Sequence, residues 1–115
     1  MTALHEETWT AVCRVAALRP NLGVAALLPD GTQVAVFLAG SGEVFALSNM
    51  DPFSRAAVLS RGIVGDRGGV PVVVSPVYKQ AFELRTGRCV EAPAVSVVAY
   101  PVRLDGDTVL VGPPR

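Results

Sequence analysis

Turn-forming residues interrupt this chain so often that no long helix has room to form. Pro29-Asp30-Gly31-Thr32, Gly40-Ser41-Gly42, Thr86-Gly87 and Asp105-Gly106 separate short runs rich in Val, Ala, Leu and Phe. An Asp-Gly pair accepts the positive φ of a tight hairpin. Leu22–Leu28 is therefore predicted to pair with Gln33–Ala39, and Val95–Leu104 with Thr108–Val111. Trp9–Val15, Glu43–Leu47, Pro71–Val74 and Ala81–Leu84 read as further strands, with Trp9 an anchor and Arg19-Pro20-Asn21 a break. Only Ser54–Ser60 reads as a short helical turn. Many short strands, with nothing like a βαβ unit, predict an all-β antiparallel sandwich or barrel.

A chain of 115 residues predicts one domain, here residues 9–115 behind a flexible tail at 1–8, able to bury roughly two-thirds of its unfolded surface. Half of the residues are hydrophobic and 17% are charged. Such a composition reads either as a Val/Ala-rich β core or as a core plus an apolar face that a partner covers. The ten basic and ten acidic residues cancel and are scattered, which argues against nucleic acid as a partner. The longest apolar runs, Gly23–Leu28 and Val34–Ala39, are far shorter than the ~20 residues a bilayer requires. The first residues, Met1 to Glu7, are polar and acidic, so no signal peptide is read there and a cytoplasmic location is expected. Cys13 and Cys89 are too few for a disulfide framework and sit among apolar residues, where a thiol behaves as a small hydrophobe.

Enzyme chemistry finds little support. Gly62, Gly65, Gly68 and Gly69 lack the Gly-Lys-Ser/Thr of a phosphate loop and read as turns. Ser54, Ser60 and Ser75 have no histidine other than His5 to activate them, and the two cysteines fail as catalytic thiols for the same reason.

The information lies in two loops, Asn49-Met50-Asp51-Pro52-Phe53-Ser54 and Val74-Ser75-Pro76-Val77-Tyr78-Lys79-Gln80. With Val44–Asn49 leading into the first and Phe82-Glu83-Leu84-Arg85-Thr86-Gly87 leading out of the second, the chain from Trp9 to Val111 resembles a Rieske domain. That family places a Cys-x-His loop and a Cys-x-x-His loop around its cluster. On this pattern Asp51 and Phe53 stand at the first loop's ligand positions, and Ser75 and Tyr78 at those of the second. A Rieske [2Fe–2S] centre needs two thiolates and two imidazoles, and none of these four residues supplies either. With His5 the single histidine, no cluster or other cofactor is expected in this chain. A metal site built from Asp51, Ser75 and Tyr78 would offer one good ligand only.

Asp51-Pro52-Phe53-Ser54, Leu59–Asp66 and Ser75-Pro76-Val77-Tyr78-Lys79-Gln80 together resemble the small subunit of NAD(P)H-dependent assimilatory nitrite reductase, a cluster-free, Rieske-like family with a loop-rich subdomain where the cluster would sit. The resemblance implies a partner, a large catalytic subunit carrying FAD, an iron–sulfur cluster and siroheme that reduces nitrite to ammonium. The alternative is a free-standing binding or assembly module for another oxidoreductase.

Phe53 and Tyr78 are expected to fill the vacated cluster space with their rings. Asp51 and Ser75 are expected to cap nearby backbone N–H groups. Asp51, Pro52, Arg61, Lys79 and Gln80 are the candidate residues for contacting the partner, because rim charges steer association.

Overall fold

The computed structural model describes residues 8–114; the expected tail therefore lies, apart from Thr8, outside the described residues. The strands are β1 (Thr10–Arg14), β2 (Gly23–Leu27), β3 (Gln33–Leu38), β4 (Val44–Ser48), β5 (Met50–Asp51), β6 (Ala56–Ala57), β7 (Ile63–Arg67), β8 (Val70–Val74), β9 (Ala81–Glu83), β10 (Ala99–Tyr100), β11 (Val102–Asp105) and β12 (Thr108–Val111). They form four sheets, ordered β1-β12-β11, β10-β4-β3-β2, β5-β6 and β7-β8-β9, with every strand pair antiparallel. The all-β expectation holds.

The four-stranded sheet is the middle layer, and its sequence explains the apolar composition. Successive side chains of a strand point to opposite faces. Along β3, Val34 and Val36 enter one core with Val109 and Val111 of β12, while Ala35 and Phe37 enter another with Val73 of β8 and Phe82 of β9. On β4, Ala46 and Leu47 divide in the same way. A strand covered on both faces needs hydrophobic residues at every position, which is why Gln33–Leu38 shows no polar alternation. Most of the Val therefore belongs to the two cores.

Three elements depart from expectation. Ile63–Arg67 is a strand, paired with β8 from Ile63↔Val74 to Arg67↔Val70; its glycine and charges hid it, because only Val64 of the five residues is buried. Ser54–Ser60 is not a helical turn but a tight turn, the short β6 and the start of a 3₁₀ turn at Leu59–Arg61. Val95–Leu104 is not one strand. Pro101, without an N–H to donate, separates β10, which joins β4, from β11, which joins β12.

The β7–β8 hairpin turns on Gly68 and Gly69, both at positive φ, with Gly69 at +91° and open space around it. Gly69→Ala therefore meets no steric neighbour and pays only the left-handed backbone strain. A loss of about 1–2 kcal/mol is expected in urea melts; an unchanged midpoint would show that the turn relaxes freely.

Candidate functional site

The two loops singled out in the sequence meet, and one hydrogen bond joins them. In the first, Met50↔Ala57 and Asp51↔Ala56 pair as a two-residue ribbon around a turn in which Arg55 takes φ +60°. The Asp51 carboxylate turns inward: Oδ1 accepts from the Phe53 N–H at 2.8 Å and the Ser54 N–H at 3.4 Å. The second loop is closed by the Ser75 N–H donating to the Gln80 carbonyl at 2.9 Å. Ser75 Oγ donates to Asp51 Oδ2 at 2.5 Å and accepts from the Val77 N–H at 3.3 Å. Both residues are fully buried, so a cluster of mutually satisfied polar groups occupies the junction. Asp51 and Ser75 cap backbone N–H groups as expected, and they also bond to each other.

Beside them Asn49, also buried, ties the first loop to its surroundings. Its amide donates to the Gln33 side chain and the Ala57 carbonyl, both at 3.2 Å, and its Oδ1 accepts from the Ser60 N–H at 2.7 Å. The half-buried Phe53 ring packs on Phe82, with ring centroids 6.1 Å apart and planes tilted by 54°.

Tyr78 does not fill the space between the loops: it is 59% exposed. Ser75 and Gln80 pin the second loop at its base, and with Lys79 at φ +67° the stretch Pro76–Lys79 is exposed throughout. Phe82, from strand β9, supplies the buried ring instead. Two expected contact residues also move. Asp51 is enclosed because its carboxylate is spent on Phe53, Ser54 and Ser75. Gln80 is half-buried, and its amide oxygen is enclosed without a hydrogen-bond partner. Pro52 is half-buried, while Arg61 and Lys79 are exposed.

The residues at this site do not fit a Rieske cluster. The positions of the two thiolates hold a carboxylate and a hydroxyl bonded to each other, and those of the two imidazoles hold aromatic rings. Cys89 lies within the core and Cys13 on β1, where burial pushes its thiol pKa up. Among the described residues, no group of His, Cys, Asp and Glu converges as a metal would require.

What the sequence did not disclose is how the balanced charges pair. Arg14, Arg67, Arg85 and Arg88 form ion pairs with Asp107, Glu91, Glu43 and Glu83. Arg103 stacks on Trp9, its guanidinium carbon 4.1 Å from the ring centroid, and Arg19 donates to the Ala16 carbonyl at 3.0 Å. Arg55, Arg61 and Lys79 have no carboxylate partner among the described residues, and all three lie on or between the two loops. Met50, Val77 and Tyr78 are exposed on the same loops, at 48%, 44% and 59%. The two loops and the segment between them thus carry these three cations and exposed apolar side chains together. Sequence reasoning did not single out Arg55, Met50 or Val77, whose exposure is visible only in the structure.

The family model for Rieske-like [2Fe-2S] domains matches residues 8–112. The chain is 43% identical over 106 residues to the nitrite reductase (NADH) small subunit of Escherichia coli K12, covering 90% of this chain and 97% of that one. It is also 43% identical over 110 residues to the nitrite reductase [NAD(P)H] large subunit of Klebsiella oxytoca, but there 96% of this chain spans only 11% of the relative's length. A crystal structure assigned as an NADH-dependent nitrite reductase small subunit from Mycobacterium tuberculosis superposes with a TM-score of 0.90 at 50% identity, covering 94% of this chain and 96% of that one. The fold, the loops without cluster ligands and the near end-to-end match together mean that this chain belongs to the nitrite reductase small-subunit family, within the Rieske-like [2Fe-2S] domains.

Proposed function

We propose that this chain is the non-catalytic small subunit of an NAD(P)H-dependent nitrite reductase and docks through its two loops onto the large subunit. The observation that carries this reading is the match along 97% of the E. coli small subunit. The same module lying within the K. oxytoca large subunit supports a large catalytic chain as the partner, and disfavours an independent module serving another oxidoreductase.

On this reading residues 9–115 act as one unit in the cytoplasm. The partner is a protein, with no role for nucleic acid or a membrane. The large subunit carries the FAD, iron–sulfur and siroheme chemistry that takes nitrite to ammonium. The residues facing it are Pro52, Arg55, Arg61, Val77, Tyr78 and Lys79, whose three cations suit an acidic surface. Asp51, Ser75 and Asn49 hold the loops in shape from the buried side.

The test is a calorimetric titration of the large subunit with wild-type chain and with the Arg61→Glu/Lys79→Glu variant, alongside nitrite-dependent nicotinamide oxidation. Both positions are exposed, so stability should change by no more than about 0.5 kcal/mol. Binding at low salt should weaken about tenfold or more, because reversed charges meet repulsion as well as losing their own contacts. Equal affinity for the variant at low and moderate salt would remove the loops as the docking face.

A further inference from the structure

The two ends of the described chain meet at one groove, far from the loops in sequence. Thr10, which opens β1, pairs with Val111, which closes β12. The Trp9 ring covers Gly112 so closely that an added Cβ there would lie 2.9 Å from it. Thr8 and Pro114 both line a groove of about 300 Å³ between these ends, the β2–β3 turn and β10. That volume is at the lower limit for small-ligand clefts, roughly 300 Å³, and suits a few side chains of an extended peptide.

Its walls are apolar: Leu28, Pro29, the Tyr100 ring, Val111 and Pro113. Besides the hydroxyls of Thr8 and Thr10, Asp30 and the Tyr100 phenol supply polar groups to it. Asp30 uses one carboxylate oxygen to accept from the Thr32 N–H at 2.9 Å, which holds its pKa below the usual carboxylate range. Burial and, secondarily, the Asp30 charge push the Tyr100 phenol up. The groove therefore offers a solvent-exposed carboxylate at its rim and a partly buried phenol beside apolar walls.

We propose that this groove is a second docking site for the large subunit, taking an extended apolar segment that presents a Lys or Arg side chain to Asp30. The inference rests on the small-subunit reading above and adds a place to it. In the K. oxytoca relative, 96% of this chain is matched inside the large polypeptide, so the remainder of that polypeptide joins the module within a few residues of its ends. The described ends, Thr8 and Pro114, converge on the groove. Whichever end carries the junction, large-subunit chain leaves the module there, and the same surface faces the large subunit when the two are separate chains. The chemistry complements the loops: the loops are basic and seek an acidic surface, whereas the groove is apolar with a carboxylate and seeks a basic segment.

The experiment uses the full chain co-purified with its large subunit, with a photoreactive side chain at Pro114 and, as control, at Asp66 on the β7–β8 hairpin. The expected result is a cross-link from position 114 to a large-subunit peptide that contains Lys or Arg, and none from position 66. In parallel, Asp30→Lys, an exposed change that circular dichroism should show to be folded, is expected to weaken binding about tenfold at low salt. Its effect should add to that of Arg61→Glu/Lys79→Glu, as for separate sites. If wild type binds the large subunit but Asp30→Lys binds equally, or if position 114 cross-links only to a second copy of this chain, the groove is not the site and the small-subunit reading stands. If wild type itself does not bind, that reading falls and the groove proposal with it.

Discussion

Phe82→Ala is expected to cost about 3–5 kcal/mol, the range for emptying a fully enclosed Phe site. Phe82 has no exposed surface and lies in the core between the middle sheet and the β7-β8-β9 sheet, with its backbone paired to Val73 and bridged to Cys89. None of these elements can close over the cavity without breaking strand register. Phe53→Ala removes a ring that is half-buried and rests on Phe82, so about 1–2 kcal/mol is expected from the smaller area and the lost ring contact. Tyr78, 59% exposed, should tolerate alanine within about 0.5 kcal/mol. Urea melts of the three variants test the order Phe82, Phe53, Tyr78. A Phe53→Ala protein as damaged as Phe82→Ala would mean that Phe53 plugs the space as its sequence position suggested.

That ranking marks where the sequence stops being informative. The hairpins at Asp30-Gly31 and Asp105-Gly106 were legible because Asp-Gly states its backbone geometry locally. The unbroken apolar run of β3 was legible as a strand, although not as one buried on both faces. Ile63–Arg67 was not, since an exposed strand carrying Gly, Asp and Arg lacks both alternation and β-branched density. At the loops, the positions of Asp51, Phe53, Ser75 and Tyr78 followed from their alignment with the ligand pattern, but their directions did not. An aspartate is ordinarily exposed. Its burial here depends on a hydroxyl 24 residues away, which no local rule can see. The basic character of the loops was hidden for the same reason: a net charge of zero says nothing about which cations find a carboxylate.

The bond between the loops should matter to both stability and docking. Ser75→Ala leaves one oxygen of a buried carboxylate without its hydroxyl donor, at an expected cost of about 2–3 kcal/mol for a hydrogen bond to a charged group. Asp51→Ala strips acceptors from the Phe53 and Ser54 N–H groups as well as from Ser75, and should cost at least as much. The double variant should lose clearly less than the sum of the two, because after the first change the second removes a bond that no longer exists. Hydrogen exchange locates the effect. Asp51→Ala should speed exchange at Phe53 and Ser54, and Ser75→Ala at Val77, whose N–H points to Ser75 Oγ, while amides in the middle sheet keep their protection at conditions favouring the fold. A loosened junction would also let Tyr78 and Lys79 shift relative to Pro52, so either single variant should bind the large subunit more weakly even though neither Asp51 nor Ser75 reaches the surface. Additive losses in the cycle, with unchanged exchange at these amides, would mean that the two loops are held independently and that the Asp51–Ser75 bond contributes nothing to their arrangement.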